Sequence, residues 1–140
     1  MAYTIGSLCT GIGGLDIEAA RALNASGVAW SYEFDKYASK LLAERMPTTS
    51  HHGDLTEFAG QPHVDIITAG FPCQDISLAG KGAGLDGAKS GLWFDCLHII
   101  KTIKPKHVCI ENVAALQRRG LDVVLDGLTA AGYGGAWCMY

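Results

Sequence analysis

The chain has 140 residues, of which 49% are hydrophobic and 18% charged, and its formal net charge is −3. This apolar content excludes an intrinsically disordered chain, and the 18 glycines lack the period of three that collagen needs. The acidic balance is untypical of a dedicated duplex-binding module, so we expect any nucleic-acid contact to rest on a local patch or on residues outside this chain.

Targeting signals and a cysteine framework are both missing from the pattern. No apolar run reaches the roughly 18 residues of a membrane span, and the N-terminus lacks the basic start of a signal peptide. We therefore expect a cytoplasmic protein with no membrane contact. The five cysteines form no CxxC pair, and several lie in apolar runs, where cysteine behaves as a small hydrophobe. This predicts neither a disulfide framework nor a metal site.

Short β-like runs alternate with longer helical stretches along the chain. In order, the pattern predicts a strand over 3–9, a helix over 15–24, a strand over 28–33, a helix over 36–46, a short strand over 51–55, a strand over 64–69, a glycine-rich loop over 79–91, a helix over 92–104, a strand over 107–111, a polar loop at 117–119, a helix over 121–131 and a strand over 136–140. Gly27 and Pro47 are predicted to stop the first two helices, and Pro105 and Gly132 the last two.

This alternation predicts an α/β fold with a Rossmann-like, doubly wound and mostly parallel sheet. We expect residues 1–140 to form one domain without an internal repeat or linker. Because the last strand pattern stops without a following helix or polar tail, we expect the front part of a larger protein. Its sheet would then be incomplete at the C-terminal side.

Residues suited to chemistry fall at four predicted strand ends. They are residues 9–14, Glu33 with Phe34, residues 71–74, and Glu111 with Asn112. In an open α/β sheet, ligands bind beyond the carboxyl ends of the strands. We therefore expect the four groups to share one crevice.

The run Gly11-Ile-Gly-Gly14 lies between a strand and a helix, where main-chain N–H groups can approach a ligand. Glu33 follows Gly13 by twenty residues and ends the second strand, the position of an acid that binds ribose hydroxyls. The pair favours an adenosine-containing cofactor, with Phe34 stacked on the adenine and Asp54 accepting a hydrogen bond from its amine. Taken alone, each residue also fits an ordinary turn or core position.

Cys73 follows a buried strand in the run Gly70-Phe-Pro-Cys-Gln74, where a proline turn would aim its thiol rigidly. A nucleophilic thiol needs such a position and a neighbour that favours the thiolate. Glu111 ends the next predicted strand, so its carboxyl can hold or donate a proton in the same crevice. These segments alone leave two alternatives open, a buried inert cysteine and a glutamate that caps the next helix.

In this order, the segments resemble the DNA cytosine-5 methyltransferases over essentially the whole chain. Ser7-Leu-Cys-Thr-Gly-Ile-Gly-Gly-Leu-Asp16 is similar to the family's first motif, Gly70-Phe-Pro-Cys-Gln-Asp-Ile-Ser77 to its Pro-Cys-Gln motif, Glu111-Asn-Val113 to its Glu-Asn-Val motif, and the run from Gly80 to Trp93 to the segment after the cysteine. The resemblance implies the sheet of methyltransferases that use S-adenosylmethionine (SAM). It also implies a prokaryotic or phage-type enzyme of restriction-modification.

The resemblance implies roles for individual residues as well. SAM would lie against Leu8, Cys9, Thr10, Gly11, Ile12, Gly13, Gly14, Glu33, Phe34, Asp54, Leu55, Gly70, Pro72 and Leu92. Double-stranded DNA would present a flipped cytosine, to which Cys73 adds at C6 while Glu111 protonates or hydrogen-bonds N3 and the exocyclic amine. Pro72 would shape the turn and Asn112 would order the loop. The predicted DNA contacts are Gln74, Ser77, Lys81 and Lys89.

The chain departs from the family in two respects. Gln117-Arg-Arg119 follows Asn112 by only five residues, too early for the family's Gln-x-Arg-x-Arg motif, and we expect the target-recognition domain to lie outside these 140 residues. We therefore expect a truncated SAM-binding and catalytic domain that a remaining segment completes in cis or in trans. Three alternatives stay open: an inactive relative that binds SAM or a partner, a thiol-redox protein using Cys9 and Cys73, and an RNA-directed enzyme.

Overall fold

The structure, a computed structural model, describes residues 2–72 and 91–139. Its strands are β1 (Tyr3–Leu8), β2 (Ala25–Tyr32), β3 (Ser50–His52), β4 (Ile66–Ala69) and β5 (His107–Ile110). Its helices are α1 (Gly14–Ala22), α2 (Lys36–Arg45), α3 (Leu92–Ile103), α4 (Leu116–Arg119) and α5 (Leu121–Ala130), and a 3-10 turn spans Leu55–Glu57.

The five described strands form one parallel sheet in the order β3-β2-β1-β4-β5, which confirms the predicted α/β fold. The chain moves outward from β1 to β3 and then returns to place β4 on the other side of β1. Ligands bind at such a reversal, outside the carboxyl ends of the strands. The Gly70 N–H donates to the Leu8 carbonyl at 3.2 Å, so β1 and β4 stay together beyond their last residues.

Helices cover both faces of the sheet. α1 packs on one face, where Ile5 and Ala19 belong to a small apolar cluster. α3 packs on the other face in the main core, which contains the fully buried Trp30 and Trp93. Trp30 requires a glycine beside it, because a Cβ built at Gly6 would lie 2.2 Å from its ring.

Local sequence explains where α2 begins and ends and where α3 ends. The Asp35 carboxylate accepts hydrogen bonds from the N–H groups of Tyr37 and Ala38, as expected of an N-cap. α2 then ends before Pro47, as predicted. α3 ends at Ile103, two residues before Pro105, because proline cannot continue a helix.

Three element predictions are wrong. α1 ends at Ala22, and Gly27 lies inside β2 instead of stopping the helix. Residues 136–139 form no strand with the described strands, and an extended segment needs such a partner for its main-chain hydrogen bonds. Residues 117–119, predicted as a polar loop at the start of a helix, are themselves helical and form most of α4.

The predicted loop over 79–91 lies outside the described residues, apart from Gly91, which caps α3. Within residues 2–72 and 91–139, no helix is long and apolar enough to cross a membrane.

Candidate active site

The loop between β1 and α1, residues 9–13 (the glycine loop), turns sharply at the carboxyl edge of the sheet. Cys9, Gly11 and Gly13 have positive φ angles of 52°, 58° and 81°. This left-handed region suits glycine and is uncommon for cysteine, which is why the strand predicted through Cys9 ends at Leu8. Apart from its two chain neighbours, no described residue has an atom within 4 Å of a Cβ built at Gly11, so this side of Gly11 faces open space.

Glu33 lies beside this loop, as its spacing from Gly13 predicted. Its Oε2 accepts a hydrogen bond from the Gly11 N–H at 2.6 Å, and its Oε1 accepts one from the Asp35 N–H at 2.7 Å. Thr10 strengthens the same junction, since its N–H and its hydroxyl each donate to a main-chain carbonyl at the end of β2 at 3.1 Å. The structure therefore brings the glycine loop and the end of β2 together.

The other predicted cofactor residues differ in what they expose. Phe34 is 78% exposed and Ile12 is 55% exposed, so both side chains are open to a ligand. The side chains of Leu8 and Leu55 belong to the main core, which leaves only their main-chain groups for a ligand. Leu92 is half-buried at the start of α3 and packs against the same core.

Asp54 caps the 3-10 turn that follows β3. Its Oδ1 accepts hydrogen bonds from the Thr56 N–H at 2.9 Å and from the Thr56 hydroxyl at 2.8 Å. The bond from the N–H is the larger cause, and both lower the pKa of Asp54. A carboxylate kept ionised in this way suits the predicted acceptor of an adenine amine.

The ends of β4 and β5 complete the same edge. A Cβ built at Gly70 would lie 3.6 Å from the Cys9 carbonyl oxygen and 3.8 Å from Oε2 of Glu111. Glu111 is exposed at this point, and its N–H donates to the Ala69 carbonyl at 3.0 Å. The carboxyl of Glu111 and the glycine loop thus lie at the same edge of the sheet, and the ligand crevice expected there stays a prediction.

Asn112 holds the segment that leaves β4. Its Nδ2 donates to the Phe71 carbonyl at 2.7 Å, and its Oδ1 accepts from the Val113 N–H at 2.9 Å. Phe71 is buried against Trp93, with their ring centroids 5.2 Å apart. The main chain immediately before Pro72 is therefore held by the hydrogen bond to the Phe71 carbonyl and by the packing of the Phe71 ring.

The structure does not describe the nucleophile and the DNA contacts that the sequence predicts. Cys73, Gln74, Ser77, Lys81 and Lys89 lie outside the described residues, and their roles stay predictions.

Cys9, one of the two cysteines named in the redox alternative, contacts a buried thiol. Cys96 is fully buried in α3, and its side chain hydrogen-bonds that of Cys9. This hydrogen bond, followed by burial, raises the pKa of Cys96 well above its ordinary value. Cys96 is therefore a poor nucleophile, and the pairing of Cys9 with Cys73 stays untested because Cys73 lies outside the described residues.

Sequence reasoning missed two contacts that hold the glycine loop and the helix after it. Nη1 of Arg45 donates to the Ile12 carbonyl at 2.6 Å, and the buried Asp16 carboxylate accepts a hydrogen bond from the Thr68 hydroxyl. Asp16 carried a signal, because it is an acidic residue in an otherwise apolar first turn. Arg45 carried none, because it lies 33 residues from its acceptor.

Known proteins resemble this chain in sequence over most of its length. The profile of a family described as C-5 cytosine-specific DNA methylase matches residues 3–140. The Type II methyltransferase M.NlaIV of Neisseria lactamica is 36% identical over 118 residues, which are 75% of this chain and 28% of the relative. M.NlaX of the same species is 35% identical over 137 residues, with 94% and 44% covered. The chain spans less than half the length of these relatives.

Solved structures resemble it in fold. The Dnmt2 methyltransferase of S. pombe superposes with a TM-score of 0.67 at 16% identity, covering 94% of this chain and 41% of the other. The methyltransferase EhMeth of Entamoeba histolytica has a TM-score of 0.67 at 18% identity, with 93% and 44% covered. At this level of identity the likeness concerns the fold alone.

Proposed function

We propose that this chain, which belongs to the C-5 cytosine-specific DNA methylase family, is the SAM-binding and catalytic part of an enzyme that methylates C5 of cytosine in DNA. One observation carries the proposal. The edge where Glu33 binds the Gly11 N–H is the edge where Glu111 lies beside Gly70. Two carboxylates at one edge support an acid for the ribose and an acid for the base within a single site.

The described residues fit an adenosine-containing cofactor. Glu33 keeps a carboxylate at the glycine loop, the Phe34 ring is exposed, and the loop main chain faces open space. We infer that these residues hold SAM, with Asp54 accepting from its adenine amine and Leu55 contributing main-chain groups. When bound, SAM supplies an electrophilic methyl group.

The residues of the chain must make C5 of cytosine reactive, because that carbon is a poor nucleophile. We infer that the Cys73 thiolate adds to C6 of a flipped cytosine while Glu111 protonates or hydrogen-bonds N3, which moves electron density to C5. After C5 has taken up the methyl group, with the sulfonium carrier leaving as a neutral thioether, a water molecule takes the C5 proton, N3 returns its proton to Glu111, and β-elimination breaks the bond between Cys73 and C6. Support for Cys73 is its sequence position directly after Pro72.

Duplex DNA is the proposed substrate, and we place Gln74, Ser77, Lys81 and Lys89 among its contacts. The net charge of −3 gives the chain few cations for a phosphate backbone. We therefore infer that a remaining segment, in cis or in trans, supplies target recognition. The Type II names of the relatives favour a role in restriction-modification.

A mechanism-based trap tests the chemistry. Duplexes carrying 5-fluorocytosine in varied contexts are incubated with SAM and with the chain completed by its remaining segment, because fluorine blocks the elimination step and that segment supplies target recognition. We expect an adduct that survives denaturing electrophoresis. It should vanish in Cys73→Ser and persist in Cys138→Ser, which removes an exposed thiol near the C-terminus.

Three results would count against the proposal in different ways. No adduct in any context, with SAM binding retained, would favour the inactive relative. An adduct with 5-fluorocytosine RNA but none with DNA would favour the RNA-directed enzyme. Loss of both adduct and SAM binding would contradict the proposed function of this chain as a whole.

A further inference from the structure

A row of polar residues crosses the sheet one residue before the strands end. The second-to-last residue of each described strand is in lateral register with that of its neighbour, and in sheet order these residues are His51, Ser31, Ser7, Thr68 and Cys109 (the polar row). Partners in register point to the same face. Parallel strands covered on both faces are normally apolar at such positions, so the polar row needs an explanation.

The hydrogen bonds of the polar row lead away from the sheet. The Ser7 hydroxyl donates to the Thr10 hydroxyl oxygen at 2.9 Å, in the glycine loop. Ser31 hydrogen-bonds Nδ1 of His51 at 2.7 Å, and Nε2 of His51 meets the Met46 carbonyl, just after α2, at 3.0 Å. The bond between Ser31 and His51 joins β2 to β3, whereas the bonds to Thr10 and Met46 join the sheet to segments next to α1 and α2.

Among the hydrogen bonds of the polar row, only the one made by Thr68 has a carboxylate as its acceptor among the described residues, and we call it the link between Asp16 and Thr68. The Thr68 hydroxyl donates to the Asp16 carboxylate, and both residues are 1% exposed. Cys109, the register partner of Thr68, has a raised pKa, first because of burial and second because of the Asp16 charge. Burying a carboxylate costs desolvation free energy, and an apolar pair of similar size at these two positions would cost less. The link therefore calls for a role beyond stability.

The position of the link indicates that role. Asp16 lies in the first turn of α1, directly after the glycine loop, and no side chain caps that helix at Gly13. Thr68 lies two residues before Gly70, on the strand that leads to Pro72. One hydrogen bond thus joins the helix start behind the glycine loop to the strand that carries the other wall of the crevice.

We propose that Asp16 is a positioning residue: through Thr68 it holds the start of α1, and with it the glycine loop, in a constant placement against β4. This inference rests on the proposed function for its consequence, which is tighter SAM binding. A loop that is already ordered loses less conformational entropy when it binds a ligand.

Variants of Thr68 test the link. Thr68→Val removes the hydroxyl at constant shape, and Thr68→Ser keeps it. Thr49→Val is the matched control, because the Thr49 hydroxyl is also buried and donates to the Val28 carbonyl at 2.8 Å, at the amino edge. We expect Thr68→Val to weaken SAM binding about tenfold in calorimetric titration, and the other two to change it by less than about twofold.

Hydrogen exchange gives a second measurement that needs no cofactor. The N–H groups of Gly11 and Gly13 are both hydrogen-bonded, to Glu33 and to the Thr10 carbonyl. We expect their exchange to accelerate in Thr68→Val and to stay unchanged in Thr49→Val, because only the first variant releases the helix start behind them. A general loss of stability would accelerate exchange across the whole sheet instead.

The double variant Asp16→Ala/Thr68→Val guards against simple unfolding, since it removes the buried charge together with its donor. We expect the double variant to fold, to bind SAM about tenfold more weakly and to exchange faster in the glycine loop. Wild-type affinity and wild-type loop exchange in a folded double variant would overturn the inference. A wild-type chain that binds no SAM would contradict the proposed function, and loop exchange would still decide the role of Asp16.

Discussion

At the amino edge of the sheet, Asp65 accepts hydrogen bonds from the Thr4 N–H and the Thr4 hydroxyl, each at 3.1 Å, and pairs with Lys106 at 2.9 Å. At the carboxyl edge, Glu33 accepts from two N–H groups of loops, and Glu111 stays exposed. The carboxylate of Asp65 joins strand ends to each other, whereas the carboxylate of Glu33 joins the end of β2 to loops. Similar carboxylates thus close one edge and shape a crevice at the other.

The largest effect is expected between the two edges, at Gly6. A Cβ there would meet the Trp30 ring at 2.2 Å, so Gly6→Ala forces the main core apart. We expect a loss of about 3 kcal/mol in the free energy of unfolding, measured in urea. Gly134→Ala is the control, because no atom of the described residues lies within 4 Å of its Cβ. A tolerated Gly6→Ala would show that the edges do not depend on one rigid sheet.

Glu33→Ala probes the carboxyl edge alone. It removes the acceptor of the Gly11 N–H and the proposed ribose ligand. We expect SAM binding to weaken about 10- to 100-fold, or roughly 1.4 to 2.8 kcal/mol, in calorimetric titration. Asp65→Ala, at the amino edge, should leave SAM affinity within about twofold of the wild type. Equal losses in both variants would erase the functional difference between the edges.

Asn112→Ala separates the catalytic side of the crevice from the cofactor side. The variant loses the hydrogen bond to the Phe71 carbonyl. We expect about 1 kcal/mol less stability, together with slower formation of the fluorocytosine adduct at unchanged SAM affinity. Gln61→Ala removes another amide hydrogen bond, to the Tyr32 hydroxyl, and should not slow the adduct. An adduct rate that matches the wild type would show that Asn112 does not order the segment before Cys73.

The smallest effect is expected from Asp65→Asn; it is fully present at neutral pH and shrinks in acid. The hydrogen bond from Lys106, followed by that from the Thr4 N–H, lowers the pKa of Asp65 to about 2. Because this pKa lies below the unfolded value of about 3.9, Asp65 stabilises the fold above pH 4 and loses that contribution as the pH falls towards 2. The melting temperature of the wild type should therefore fall more steeply over this range than that of Asp65→Asn. Equal slopes of melting temperature against pH in the two proteins would show that the charge of Asp65 does not stabilise the amino edge.

Much of the crevice could be predicted because its parts are local. Glycines after a strand, an acid at the end of the next strand and a glutamate at the end of a later one are each visible in a short window. Parallel topology then brings all carboxyl ends to one edge, so Glu33, Gly70 and Glu111 meet around the glycine loop. The prediction of a shared crevice needed no knowledge of strand order.

By itself, the sequence determined the α/β alternation, most element boundaries within a few residues and which polar residues stand at the strand ends, because periodicity and capping act within a few residues. Only the tertiary structure decided the bond between Asp16 and Thr68, which spans 52 residues, and the alignment of the polar row across five described strands. It also decided against a strand at 136–139. Strand pairing and buried hydrogen bonds depend on which distant segments become neighbours, and no local pattern encodes that choice.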